Sequence, residues 1–308
     1  MRFFKVALAS FFAYFIFAFF GATLTSCQKQ ILHDTTLVTV TDTLTIKDTI
    51  IMKDTVTIVD TLCNLSDGLV AYYNFNGGNL NDSSGYNNNI IFSNATMTTD
   101  RLGNPNNAYL FNGNSSYMQV KNSSSINPNK ITIFAIVKVN GFYKGSSCYG
   151  NEILCKGTPD AINGLYFMRF SPVPTGVNCD PNNTDTTKEI FYAASGDNIP
   201  QGSAAGAGIT SLFIQPEEWY SLTYTYDGTV SKFYINGALV DSETKTVSFN
   251  PNSDDLFIGK NENSLYPYYF NGAIDEIRIY NKAIPGQKVG YLNFMRNKYL
   301  KVANKLIY

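Results

Sequence analysis

Histidine is almost missing from this chain: His33 is the only one in 308 residues, and it lies in a repetitive N-terminal stretch. Without a second histidine, Ser-His-Asp and Cys-His arrangements are excluded from the rest of the chain. No CxxC pair occurs, so a conventional zinc set is missing too. Charge is sparse, at 15% of residues with a net of −1, which gives no electrostatic footing for nucleic acid or an anionic lipid surface. There is no G-x-S-x-G elbow and no P-loop. Glycoside hydrolases need two carboxylates about 5–5.5 Å apart when retaining, or wider when inverting, which on one strand means acids at alternate positions. No E-x-D-x-x-E run exists, and the neighbours Asp275-Glu276 and Glu217-Glu218 should point to opposite faces. The chain is therefore expected not to be an enzyme. The single tryptophan, Trp219, stands at the start of an alternating run and reads as packing rather than as a binding platform.

What the chain has in quantity is tyrosine and phenylalanine, 21 and 22 respectively, among many Asn, Ser, Thr and Gly. That mixture suits an exported all-β domain with many turns. The N-terminus supports export. Arg2 and Lys5 precede an apolar run from Val6 to Phe20, too short for a full membrane span, followed by Leu24-Thr25-Ser26-Cys27. This resembles a bacterial lipoprotein signal over residues 1–26, with Cys27 as the lipidated residue and sole membrane attachment. Gln28 and Lys29 follow, without the aspartate that would argue for inner-membrane retention, so the expected place is the cell envelope, at the outer membrane. Of the other cysteines, Cys63, Cys148, Cys155 and Cys179, four thiols allow three pairings. Cys148 with Cys179 is favoured, because a hairpin of Glu152–Lys156 with Leu165–Phe170 would carry the two towards each other.

Residues 27–66 read as a stalk. Asp-Thr recurs at 34, 42, 48, 54 and 60, the last four copies six apart. An even period keeps the aliphatic residues on one side of a strand and cannot serve as a heptad. Two readings stay open: an extended spacer, or an apolar edge that zips against other copies into an oligomer. Each repeat also resembles a bacterial Asp-Thr-aliphatic O-glycosylation acceptor, with Thr43, Thr49, Thr55 and Thr61 as attachment points.

Beyond the stalk, strand signals dominate. Tyr220, Leu222, Tyr224 and Tyr226 alternate with Ser and Thr, Asp227-Gly228 offers a turn, and Val230–Ile235 leads through Asn236-Gly237 into Ala238–Asp241. Asn-Gly between apolar runs is a strong hairpin signal because both residues tolerate positive φ. Ile131, Ile133, Ala135, Val137 and Val139 share one face of a further strand. Additional candidates are Tyr109–Phe111, Tyr117–Val120, Leu256–Gly259 and Ala273–Tyr280. The roughly 220 residues involved suit one antiparallel jelly-roll β-sandwich. After Pro285 a basic, helix-like tail follows, assigned to residues 291–308.

The segments GLVAYYNFNGGNLNDSSG, AYLFNGNSSYMQV, ITIFAIVKV, ILCKG, WYSLTYTYDGTVSKFYINGALV, LFIGKN and FNGAIDEIRIYNKAI occur in the order found in laminin-G-like, concanavalin A-like lectin domains. The resemblance covers residues 67–290. It implies a jelly roll that binds carbohydrate, and a rim calcium ion held by Asp82 in NDSSG and Asp275 in GAIDE, with Asn87 and the carbonyl of Gly85 as further ligands. Calcium takes several hard oxygens, which loop carboxylates and carbonyls supply. The residues themselves equally allow an Asx turn at Asp82 and a strand cap at Asp275. For the glycan, Tyr266, Tyr268 and Tyr269 in the loop before the last strand are candidate stacking residues, or else a cover for the sandwich edge. The expected function is envelope-exposed glycan or glycoprotein binding, with a protein-binding adhesion role as the alternative.

Overall fold

The computed structural model describes residues 37–45, 51–59, 64–141, 150–157, 165–172, 189–197 and 214–293. The chain divides into two compact units, Met1–Leu65 and Ser66–Tyr308. Cys27, Cys148, Cys179, Thr49, Thr61 and the tail after residue 293 lie outside the described residues.

In the first unit, strands β1 (Leu37–Thr45) and β2 (Ile51–Val59) pair antiparallel, with Leu37 opposite Val59 and Thr45 opposite Ile51. Thr43 and Thr55 fall within them. Both strands lie within the Asp-Thr repeat. The register sets Val38 opposite Ile58, Val40 opposite Val56 and Leu44 opposite Met52.

The second unit is an antiparallel β-sandwich. Its larger sheet has eight strands. Along one path run β14 (Ala238–Thr244), β13 (Val230–Ile235), β12 (Trp219–Tyr226), β8 (Ile131–Val139), β16 (Asn271–Tyr280), β6 (Ala108–Asn112) and β5 (Thr96–Thr98), while β3 (Leu69–Tyr73) also pairs with β16. The smaller sheet orders β11 (Glu189–Gly196), β10 (Leu165–Pro172), β9 (Asn151–Lys156), β15 (Leu256–Ile258), β7 (Met118–Val120) and β4 (Ile90–Ser93). The tyrosine run of β12 and the odd positions of β8 face the core, as their alternation predicts. Asn236 and Gly237 both adopt positive φ, 51° and 79°, closing the expected hairpin between Ile235 and Ala238. β9 and β10 form the expected hairpin as well, with Tyr166 opposite Lys156 and Arg169 opposite Glu152. Cys155, on β9, is a buried free thiol.

β8 departs from simple alternation. Phe134 and Ile136 face away from the sandwich yet are buried, outside the main core. The chain after β16 passes over that face. Thr132 Oγ1 donates to the Lys282 carbonyl at 2.7 Å and accepts from the Ile284 amide at 2.9 Å. Further along, Ser221 Oγ donates to Asn293 Oδ1 at 2.9 Å. A helix, α1 (286–293), starts directly after Pro285 and buries Val289 and Leu292. Proline fixes a φ suited to helix entry.

The pairing of β16 with β8 leaves no room at Gly272. A Cβ there would stand 2.1 Å from the Lys138 carbonyl oxygen, a backbone atom in the ladder. Gly272→Ala should therefore lower unfolding stability by about 3 kcal/mol, the upper end of overpacking costs, read as an earlier urea midpoint. An unchanged midpoint would contradict this packing.

On the outer face of the smaller sheet, Glu152 is fully buried, and among the described residues neither carboxylate oxygen has a hydrogen-bond partner. Arg169 Nη1 is 3.6 Å away, too far for a hydrogen bond. Burial outweighs that attraction and pushes the carboxyl up to about 8. The folded state thus holds a proton that the unfolded chain releases at ordinary carboxylate pH. Stability should fall as pH rises from about 4.5 towards 8, by at most about 1.4 kcal/mol per pH unit. Urea midpoints across this range should decline in the native protein and decline less in Glu152→Gln; parallel profiles would contradict the assignment.

Candidate functional site

β16 is a ten-residue strand whose one edge is shared by two shorter partners. β6 pairs with its first part, from Asn271–Asn112 to Ile274–Tyr109, and β3 with its last part, from Ile277–Tyr73 to Tyr280–Leu69. Asp275 and Glu276 sit at the junction. On the other edge, facing β8, the register slips between Ile274 and Glu276, which makes Asp275 the extra residue of a β-bulge. The bulge breaks the alternation expected of neighbouring acids, and both carboxylates line one cavity. The expectation that they point to opposite faces is corrected on this ground.

The junction is closed by Arg101, from the loop between β5 and β6. Its backbone amide donates to Asp275 Oδ2 at 3.1 Å and its Nη1 to the same oxygen at 2.6 Å. Its Nη2 lies 3.7 Å from Glu276 Oε2. Glu276 Oε1 accepts from Arg278 Nε at 2.5 Å, and the Arg278 guanidinium rests 4.1 Å above the Tyr72 ring. Burial raises the Asp275 carboxyl above its ordinary range, opposed by the Arg101 charge and its hydrogen bonds. The loop carrying Arg101 is held by Asp100, whose Oδ1 accepts the amides of Leu102 and Asn104, both at 2.8 Å.

The cavity has a volume of about 410 Å³, within the usual range of small-ligand sites. Besides the charged groups it is lined by Asn74, Asn76, Asn104, Asn107, Tyr72, and by Leu102 and Leu292. Asn74 and Asn76 both reach it because Phe75 between them is left-handed, at φ 52°. That conformation is costly for a bulky residue, about 1–3 kcal/mol. It is held by burial of the Phe75 ring against Tyr109, edge-on with centroids 5.2 Å apart. Among the described residues, no protein group bonds the side chain of Asn76 or the Nδ2 of Asn107, and no donor reaches Asp275 Oδ1.

The other expected calcium ligands lie elsewhere. Tyr72 turns its amide and carbonyl to the loop of Asp82, accepted by Asp82 Oδ1 at 2.9 Å and bonded by the Ser83 amide at 2.8 Å. Asp82 therefore sits on the edge of β3 away from β16, and β3 separates it from Asp275. Asp82 Oδ1 also accepts the Ser84 amide, while Oδ2 accepts Ser84 Oγ at 2.7 Å and the Asn88 amide at 3.0 Å. Four donors saturate this carboxylate. Gly85 and Asn87 are exposed residues of the same loop, at φ 94° and 60°, and neither lines the cavity. With Asp82 saturated and Asp275 bound to a guanidinium, these four residues do not fit a shared calcium ion, which needs six to eight free oxygen ligands. The Asx-turn alternative describes Asp82; Asp275 is the anchor of Arg101.

The tyrosine loop is also reordered. Tyr268 is 7% exposed, with φ 46°, its ring packed on Gly150 and its carbonyl accepting the Glu152 amide at 2.8 Å. It is a buried wedge and presents no face for a sugar to stack on. Tyr269 is half-buried, and Tyr266, 43% exposed, remains available beside Leu265. Trp219 is half-buried at the first position of β12.

The strand order, the closing strand and the polar cavity on one sheet define a lectin-like binding fold. The family model described as the concanavalin A-like lectin/glucanases superfamily, Laminin_G_3, matches residues 112–290, more than half of the chain. The chain belongs to this superfamily. Among solved structures, it resembles the binding domain of Paraclostridial mosquitocidal protein 1 (18% identity, TM-score 0.55, 76% of this chain and 53% of that one). It also resembles the binding domain of botulinum neurotoxin DC in complex with SialylT (12%, TM-score 0.53, 75% and 52%). A third likeness is domain 4 of AbnA, a GH43 extracellular arabinanase from Geobacillus stearothermophilus, in complex with arabinotriose (23%, TM-score 0.48, 73% and 98%). The chain spans about half the length of the toxin domains it matches. No curated protein matches the sequence.

Because Asp82 is saturated by protein donors and β3 separates it from Asp275, the melting temperature should be the same in excess EDTA and in millimolar calcium. A drop of several degrees in EDTA would restore the calcium expectation.

Proposed function

We propose that this chain is a glycan-binding module of the bacterial cell envelope, carried on a lipid attached to Cys27 and displayed beyond the Asp-Thr repeat. The observation that carries the binding reading is the cavity at the β16 junction. It gathers four asparagines, carboxylates and a tyrosine on one sheet. Carbohydrate recognition uses such groups, since amides and carboxylates match hydroxyls that both donate and accept. Membership of a lectin-rich superfamily supports the reading. Catalysis is not part of it: Glu276 Oε1 and Asp275 Oδ2 are each engaged by a guanidinium, which suits an acceptor better than a proton-transfer pair. The N-terminal signal supports the anchor, and replacing Cys27 by Ser should abolish incorporation of labelled fatty acid.

The test of the site is a glycan array of the purified full chain in detergent, followed by titration of the strongest hit. Asn76→Ala removes an exposed amide outside every protein hydrogen bond of the described residues, so the fold should be unaffected. Affinity should fall about tenfold, the worth of one well-made hydrogen bond at about 1.4 kcal/mol. Leu265→Ala, in the distant tyrosine loop, should leave it unchanged. The reverse pattern would move the site to Tyr266, and an array without hits would reject glycan binding.

A further inference from the structure

Resting on the glycan reading, we infer that the cavity selects uncharged, hydroxyl-rich sugars and rejects those bearing a carboxylate, such as uronic or sialic acids. Three carboxylates, Asp100, Asp275 and Glu276, and two guanidiniums, Arg101 and Arg278, line the cavity, a formal charge of −1. A guanidinium holds a ligand carboxylate best when its charge is not already neutralised by a protein carboxylate. Neither arginine offers that. Arg101 is paired with Asp275, its Nη1 held by Oδ2, and its Nη2 lies 3.7 Å from Glu276 Oε2. Arg278 Nε is held by Glu276, and one face of its guanidinium is covered by the Tyr72 ring.

The unused polar atoms have the opposite character. Among the described residues, Asp275 Oδ1 and Glu276 Oε2 accept no hydrogen bond, and Asn104 uses its Nδ2 on Asp100 while its Oδ1 stays open. These oxygens accept from sugar hydroxyls, and a hydrogen bond to an ionised acceptor is roughly twice as strong as a neutral one. Asn107 Nδ2 and the Asn76 amide supply the matching donors to hydroxyl or ring oxygens. An incoming carboxylate would meet Asp275 and Glu276 as like charges in a partly enclosed site, where repulsion is weakly screened. The Asp275 side chain is only 5% exposed, so its negative charge cannot turn away into solvent.

The experiment compares oligosaccharides ending in a uronic acid with the same chains after carboxyl reduction, alongside sialylated and desialylated pairs, against the full chain at pH 7. The neutral member of each bound pair should bind at least tenfold tighter. Asp275→Asn, which keeps an acceptor for Arg101, should narrow that ratio, and Asn76→Ala should weaken the neutral ligand. Preferential binding of the acidic members would overturn the selectivity while leaving glycan binding intact. A neutral preference that neither variant changes would overturn it as a property of this cavity. Binding to no member of any pair would reject the glycan reading itself, and the selectivity with it.

Discussion

One edge of the last strand has to satisfy two partners at once, and much of the sandwich follows from how that is done. β16 joins β8 on one side and, in tandem, β6 and β3 on the other. Where one partner ends and the next begins, ladder groups would be left without mates and a gap would open in the sheet. The bulge at Asp275 and the Arg101 loop fill it. Both side chains are largely buried, 5% and 13% exposed, so their charges matter only as a pair. Such a pair adds little net stability against an apolar substitute, but removal of one partner costs about 3–5 kcal/mol because the other is stranded. The pair therefore fixes where the three strands meet more than it strengthens the fold.

The cavity is a by-product of the same solution. The chain after β16 covers the outer face of the large sheet across β8 and β12, burying Phe134 and Ile136 and bringing Leu292 to the cavity wall. The Arg101 loop forms another side. The left-handed turn at Phe75 supplies two asparagines, with its cost met by a ring locked in the core. Polar groups that would otherwise be solvated are thus held on strands and short turns, which limits the entropy a ligand must remove on binding.

The sequence was informative where local chemistry decides the outcome. Alternation located β8, β12, β13 and β16, and Asn236-Gly237 gave the hairpin directly. It was misleading where a single extra residue changes a face. Strict alternation sent Asp275 and Glu276 apart, and only the three-dimensional pairing exposes the bulge that brings them together. Arg101 carries no local signal in TDRLGNPNN, because its partner is 174 residues away in sequence. Tyr268 looked like an exposed platform because its neighbours Tyr266 and Pro267 suggest a loop; its positive φ turns the ring inward. ITIFAIVKV does carry a signal of its cover, since Phe134 and Ile136 put apolar side chains on its second face, the mark of a strand covered on both sides. The calcium expectation rested on family position, and the hydrogen bonds of Asp82 account for that aspartate without an ion.

The central claim is that a sugar occupies the cavity at the β16 junction. Residue-resolved NMR of the isotope-labelled protein, titrated with the tightest oligosaccharide from the array, tests it most directly. Saturable shifts should concentrate at Asn74–Asn76, Arg101–Asn107 and Asp275–Arg278, with the Asp82 loop and Leu265–Tyr269 unmoved. Shifts confined to the tyrosine loop, or to the Asp82 loop, would contradict the account.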